Sequence, residues 1–375
     1  MDDTLFDDSD ILSSVDKRSG VEERWVSFQP YLLSKGYRLR PRYQPAWVPS
    51  WKKSGLRSTQ CEDSVDSMPI RVLDAVRIQD ELQVIIKMVI RSKDDREGAE
   101  ELAILQYFSS PSLKDHPSNH VVPCLDSFPI PGTDRGHFIV MPLLGKFTFP
   151  PFHNLAEVHE FLQQIFDGLL FMHEHNVAHC DIAGPNIMMD LRPLYDEPFH
   201  PVYPTLSLDL QRPVFPRHRR SEKHVRYYYI DLGYAKWFQD SSASRLITGG
   251  GARERVPEQL HDRLYDPFIA DVHQLGVVIR RDMLTEIDAL KFLEPLVTEM
   301  TRRDPSVRPA LTKARQSMHA AFLGLSGIRY RWPLVPREAG FRARKIYFVW
   351  GVVLEVKYWL RGLLMLFLGV GKRRE

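Results

Sequence analysis

Cysteine is scarce. The 375 residues hold three, Cys61, Cys124 and Cys180, far apart and in no metal-ligand spacing. That argues against a disulfide framework and fits a reducing compartment. Net charge is scarce too: 50 Lys and Arg against 48 Asp and Glu leave +2. Nothing in that balance calls for nucleic acid as a partner, and none is expected. The first sixteen residues carry six Asp and no Lys or Arg, the opposite of a secretory or mitochondrial leader. An intracellular, cytoplasmic location is therefore expected. An uncharged apolar run of membrane-spanning length is also missing, because the stretch 346–370 is interrupted by Glu355, Lys357 and Arg361.

What is there suffices for a sizeable core, with 43% hydrophobic residues. Residues 1–24 are acidic and Ser-rich without periodicity, and read as disordered. Residues 25–69 form a strap and linker in which Arg38, Arg40, Arg42 and Tyr43 precede Trp47-Val48-Pro49-Ser50-Trp51. Each Pro there restricts its predecessor, so the segment must be extended or turning. Basic residues among aromatics can stack on single-stranded nucleic acid, or the rings can pack an ordered strap onto the domain.

Two strands are predicted around the Gln79-Asp80-Glu81 turn, from Ile70 to Ala75 and from Leu82 to Ile90. The second carries one lysine, Lys87, among apolar neighbours. A helix is expected from Asp94 to Phe108, with Leu102, Leu105 and Phe108 on one stripe and Glu101 one turn before Leu105. Further strands are read at His120–Phe128 and His137–Leu144. Leu155–Asn176 is the clearest helix, since Val158, Phe161, Leu162, Ile165, Leu169 and Met172 recur at helical spacing. A loop follows, His179-Cys180-Asp181-Ile182-Ala183-Gly184-Pro185-Asn186, then a short strand Ile187-Met188-Met189. A Pro-rich insertion, 191–226, carries the basic run Arg217-His218-Arg219-Arg220, and Tyr227-Tyr228-Tyr229-Ile230 reads as a strand delivering Asp231. A metal site built from His173, His175, His179 and Cys180 is disfavoured, because residues two apart do not share a helix face.

His179-x-Asp181-x4-Asn186 followed by Asp231-Leu232-Gly233 resembles the catalytic and metal-binding motifs of protein kinases. Val256-Pro257-Glu258, Asp271 within Asp271-Val272-His273-Gln274-Leu275-Gly276, and Arg308 within Arg303-Asp304-Pro305-Ser306-Val307-Arg308-Pro309 stand in the order of three further kinase motifs. The resemblance implies an α+β, two-lobed kinase-like domain at 70–325, with a small β-rich N-lobe at 70–144 and a larger helical C-lobe at 145–325. It implies ATP and Mg²⁺ as cofactors. Asp181 would be the general base. Lys87 would hold the nucleotide's phosphates, paired with Glu101, and Asn186 and Asp231 would hold the metal. Backbone groups of Met141, Pro142 and Leu144 would meet the adenine. Arg308 would pair with Glu258, and Asp271 and His179 would order the loop. The strap and the Asn186–Asp190 segment also resemble a group of kinase-like proteins from fungi.

The departures are specific. No Gly-x-Gly-x-x-Gly precedes Lys87, Cys180 replaces the Arg that receives an activation-segment phosphate, and Ala183 and Pro185 stand where kinases place a Lys or Arg. Three functions are consistent with this pattern: a protein kinase, with Ser/Thr favoured over Tyr as target; a pseudokinase scaffold binding nucleotide weakly or not at all; and a small-molecule kinase. The tail, 326–375, leaves the kinase pattern. Its apolar stretch is flanked by Arg342-Ala343-Arg344-Lys345 and Lys372-Arg373-Arg374. Through 342–374 it suits an anionic membrane surface, or it packs on the domain or on another protomer.

Overall fold

The structure, a computed structural model, describes residues 15–65, 70–90, 98, 100–134, 136–240, 244–249, 252–261 and 263–367. Residues 1–14, the start of the helix expected from Asp94, and the Lys372-Arg373-Arg374 triplet lie outside them. The fold is α+β. The chain divides into two compact units, the first being 1–116, 121–145 and 188–218, the second 117–120, 146–187 and 219–375.

In the first unit, helices α1 (Gly20–Ser34) and α2 (Glu101–Phe108) accompany strands β1 (Tyr37–Leu39), β2 (Val72–Arg77), β3 (Leu82–Ile90), β4 (Asp126–Pro129) and β5 (Gly136–Pro142). The strands form one antiparallel sheet, order β1-β2-β3-β5-β4. The period of two along β3 sorts its residues: Val84, Ile86 and Met88 enter the core, while Gln83, Ile85 and Lys87 take the opposite face. The core face is covered by α1, whose Trp25 and Phe28 rings lie 5.9 and 5.3 Å from Phe138.

Helix α1 begins inside the segment read as aperiodic. Its start is set by a local device: Glu22 N–H donates to Ser19 Oγ, and Ser19 N–H donates to Glu22 Oε2 at 2.9 Å. The strand expected from His120 shortens to β4, because Pro123 has no N–H for a ladder. The strap is packed rather than presented. Arg42 and Glu22 are both fully buried and paired, Arg42 Nη2 donating to Glu22 Oε2 at 3.0 Å. Asp63 accepts from Trp47 Nε1 and Ser50 N, each at 2.8 Å.

The second unit holds α3 (Leu155–Glu174), β6 (Val177–Ala178), β7 (Tyr227–Tyr229), β8 (Lys236–Trp237), α4 (Pro267–Ile279), α5 (Glu294–Met300), α6 (Leu311–Leu323), α7 (Gly327–Arg331) and α8 (Phe341–Phe367). Asn154 caps α3, and the whole stripe from Val158 to Met172 is buried. Arg220, from the basic run, is no solvated loop residue: it is buried, bonds the Tyr227 hydroxyl at 2.9 Å and lies over the Phe152 ring. Among the described residues no helix is long and apolar enough to cross a membrane.

Removing one partner of the buried pair strands a charge, so Arg42→Met alone should cost about 3–5 kcal/mol. Adding Glu22→Leu should recover most of the loss, measured by denaturant unfolding. Burial also pushes His120, His159 and His273 down to about 4. These rings stay neutral in the fold while the unfolded chain takes up protons below about 6.5, so stability rises with pH across that window. The thermal midpoint should fall between pH 6.5 and 5. A flat midpoint there would contradict this reading.

Candidate functional site

Lys87 sits mid-strand in β3, opposite Val72 and Ile139. Its Nζ lies 2.7 Å from Glu101 Oε1 in the first turn of α2, with both side chains largely buried. Beside it, Val72, Ile85 and Leu143 share a pocket of about 350 Å³ with Pro201 and Val202 from the insertion. A hydrogen bond of 2.9 Å from Gln83 Nε2 to Phe199 O fixes that turn on the Lys87 face. His200 Nδ1 accepts from the N–H groups of Val202 and Tyr203, which tightens the turn from inside. Met141 and Pro142 end β5 buried, and Leu144 follows half-buried. Farther along the same sheet face, Arg40 bridges Asp74 and Glu62 at 2.8 and 2.9 Å beside a cavity of about 720 Å³. That cluster carries no local signal in the sequence, since its members come from distant segments.

In the second unit the 179–186 loop is held from α4. Asp271 is fully buried. Its carboxylate accepts the N–H groups of His179 at 2.9 Å and Cys180 at 2.8 Å, and its Oδ2 lies 2.9 Å from His173 Nε2. One turn on, Gln274 accepts from Ile182 N and donates to the carbonyls of Cys180 and Glu254. These bonds sustain a left-handed backbone at Cys180, φ 64°, which a residue with a Cβ adopts only under constraint. His179 bonds Ile230 O through Nε2 and accepts the Asp181 N–H at Nδ1.

Asp181 is buried, and both its carboxylate oxygens are engaged. Asn186 Nδ2 donates to Oδ2 at 2.8 Å, and the Arg253 N–H donates to Oδ1 at 2.6 Å. Burial pushes the Asp181 carboxyl above its ordinary range despite those donors, with the neighbouring Asp231 charge adding to the rise. Asp231 itself has φ 60°, a conformation Asp tolerates better than most residues. A Cβ at Gly184 would lie 2.2 Å from Asp282 Oδ2, so a larger residue there would have to displace the Asp282 carboxylate. Arg281 borders the same point and pairs with Glu254 and Asp282. Arg308 meets Glu258 through two bonds, 2.6 and 2.7 Å.

Sequence reading named Asp271 but missed His173, Gln274 and the Arg253 amide as parts of this arrangement. Of these, only Gln274, one turn from Asp271 on α4, could have been found from helical spacing. Asn186 and Asp231 present oxygen ligands, the type Mg²⁺ prefers. Among the described residues no group of three or more His, Cys, Asp or Glu is placed to hold a metal ion.

No protein-family profile matches the chain. Over 138 residues it is 28% identical to a protein of Acanthamoeba polyphaga mimivirus that bears the name "Putative serine/threonine-protein kinase". The match covers 35% of this chain and 48% of the viral protein, about half of that protein's length.

Asp271→Asn should leave its side chain in place but turn its NH₂ toward one of the two loop N–H groups, orphaning that donor at about 1–3 kcal/mol. Amide exchange at residues 179–182 should accelerate while the β3–β5 amides stay protected. Unchanged exchange in the loop would remove Asp271 from its ordering role.

Proposed function

We propose that the protein is an ATP-dependent protein kinase, transferring phosphate to a protein hydroxyl with Ser/Thr favoured over Tyr. On this reading the two units correspond to the two lobes of a kinase-like fold. The observation that carries it is Asp181, a buried carboxylate held in place by Asn186 on a loop fixed from Asp271. A raised carboxyl is a better acceptor for a hydroxyl proton, provided it stays ionised at working pH. The similarity to the viral protein supports the same chemistry.

Lys87, steadied by Glu101, supplies a fixed ammonium for phosphate oxygens. Asn186 and Asp231 would hold Mg²⁺, which when bound neutralises charge on the phosphates. The backbone of 141–144 is the proposed adenine contact. In place of a Gly-rich loop, the β1–β2 connection runs through the strap. The charge absent at Ala183 and Pro185 has a candidate in Arg281, beside Gly184.

A second reading, a scaffold with weak nucleotide binding, is favoured by the His200–Tyr203 turn against Val72 and Ile85. That turn must shift if a base is to stack on this face. Thermal denaturation separates the two readings. Millimolar Mg·ATP should raise the midpoint, since binding contributes RT ln(1 + [L]/Kd), about 2.7 kcal/mol at a hundredfold excess. Lys87→Ala and Asp231→Ala should shrink the shift. No shift in the wild type would leave only the scaffold. Arg281→Met should keep the shift and lower turnover about ten- to a hundredfold; unchanged turnover would remove Arg281 from the charge it is proposed to supply.

A further inference from the structure

Helix α8 runs for 27 residues, Phe341–Phe367, and only one side of it rests on the protein. At 3.6 residues per turn, Tyr347, Gly351, Glu355 and Tyr358 fall on one seam. That seam is anchored. Arg331 donates to both Glu355 oxygens at 3.0 and 2.9 Å, and its guanidinium stacks 3.7 Å from the Tyr358 ring centroid. Gly351 lets the Trp332 indole lie against the backbone, since a Cβ there would come within 2.6 Å of that ring.

The opposite side carries Val349, Val352, Val353, Val356, Trp359, Leu360 and Leu363 at three- and four-residue spacing, each 42–61% exposed. A contiguous apolar strip of this length on a folded chain marks an interaction surface. Its charge identifies the occupant. Residues 341–367 contain five basic side chains, Arg342, Arg344, Lys345, Lys357 and Arg361, and one acid, Glu355, already neutralised by Arg331. Arg342 and Lys345 lead into the apolar strip, and Lys357 lies along its edge. A second copy of the same basic helix would be repelled. A bilayer surface with anionic headgroups meets both demands, acyl chains for the strip and phosphates or carboxylates for its border. The seam to Arg331 and Trp332 keeps the other side on the protein, so the helix lies along the surface rather than across it.

We propose that α8 is an in-plane membrane anchor which docks the second unit on anionic lipid through the Val349–Leu363 strip. The protein with its complete tail should sediment with phosphatidylcholine–phosphatidylserine vesicles and bind phosphatidylcholine vesicles far less. High salt should weaken the association without abolishing it. Arg342→Gln with Lys345→Gln should weaken binding about thirtyfold, the effect of two basic residues near such a surface. Trp359→Glu with Leu363→Glu should abolish sedimentation. Both residues are exposed, so circular dichroism and the thermal midpoint should match the wild type and exclude misfolding. Three outcomes overturn the proposal: no sedimentation with anionic vesicles, equal binding to neutral vesicles, or a dimer in lipid-free buffer that Trp359→Glu/Leu363→Glu dissolves.

Discussion

Asp271 is the constraint on which the 179–186 loop depends. A carboxylate with no exposure to water must collect donors or cost several kcal/mol, and the donors here are the amides of His179 and Cys180 together with His173. The bargain runs both ways. Without an acceptor in that position the left-handed backbone at Cys180 loses the bond to its N–H, and Asp181, the next residue, loses part of its support. Helix α4 contributes rigidity at both points, since Gln274 one turn later ties Ile182 and Cys180 to the same cylinder. The loop is thus attached at three residues, 179, 180 and 182, to one helix.

Much of the fold could be read from residue spacing, and the reason is local. Helix α3 announces itself by an unbroken apolar stripe, and β3 by β-branched residues with a period of two. Both signals lie within one element. Misses occurred where the deciding partner lay far away or where the signal was a single cap. Helix α1 depends on Ser19 and Glu22, two polar residues in an otherwise acidic stretch, and on the remote Arg42. Strand β1 pairs with β2 across a connection of more than thirty residues, which no local pattern reveals. The same holds for the site. Lys87 and Glu101 are found as a pair in space because a strand and the next helix bring them together, whereas the turn at His200 reaches the Lys87 face from an insertion that has no periodicity to interpret.

The departures from the kinase pattern take physical form in the structure. Where a Gly-rich loop would leave open backbone for phosphates, the strap is a packed segment closed by Arg42 and Asp63. Where an Arg would wait for an activation-segment phosphate, Cys180 is buried and strained. The Arg253 amide, from the segment after Asp231, already bonds Asp181. On the proposed reading, a substrate hydroxyl would compete with this backbone N–H for the Asp181 carboxylate.

The central claim is that Asp181 serves phosphoryl transfer, and the direct measurement is transfer of the γ-phosphate from Mg·ATP to the protein itself or to a generic protein substrate. The account predicts measurable transfer by the wild type and loss of about two orders of magnitude or more in Asp181→Asn, with folding preserved. Transfer at equal rates in the two proteins would contradict it, and so would its absence in a wild type that binds Mg·ATP.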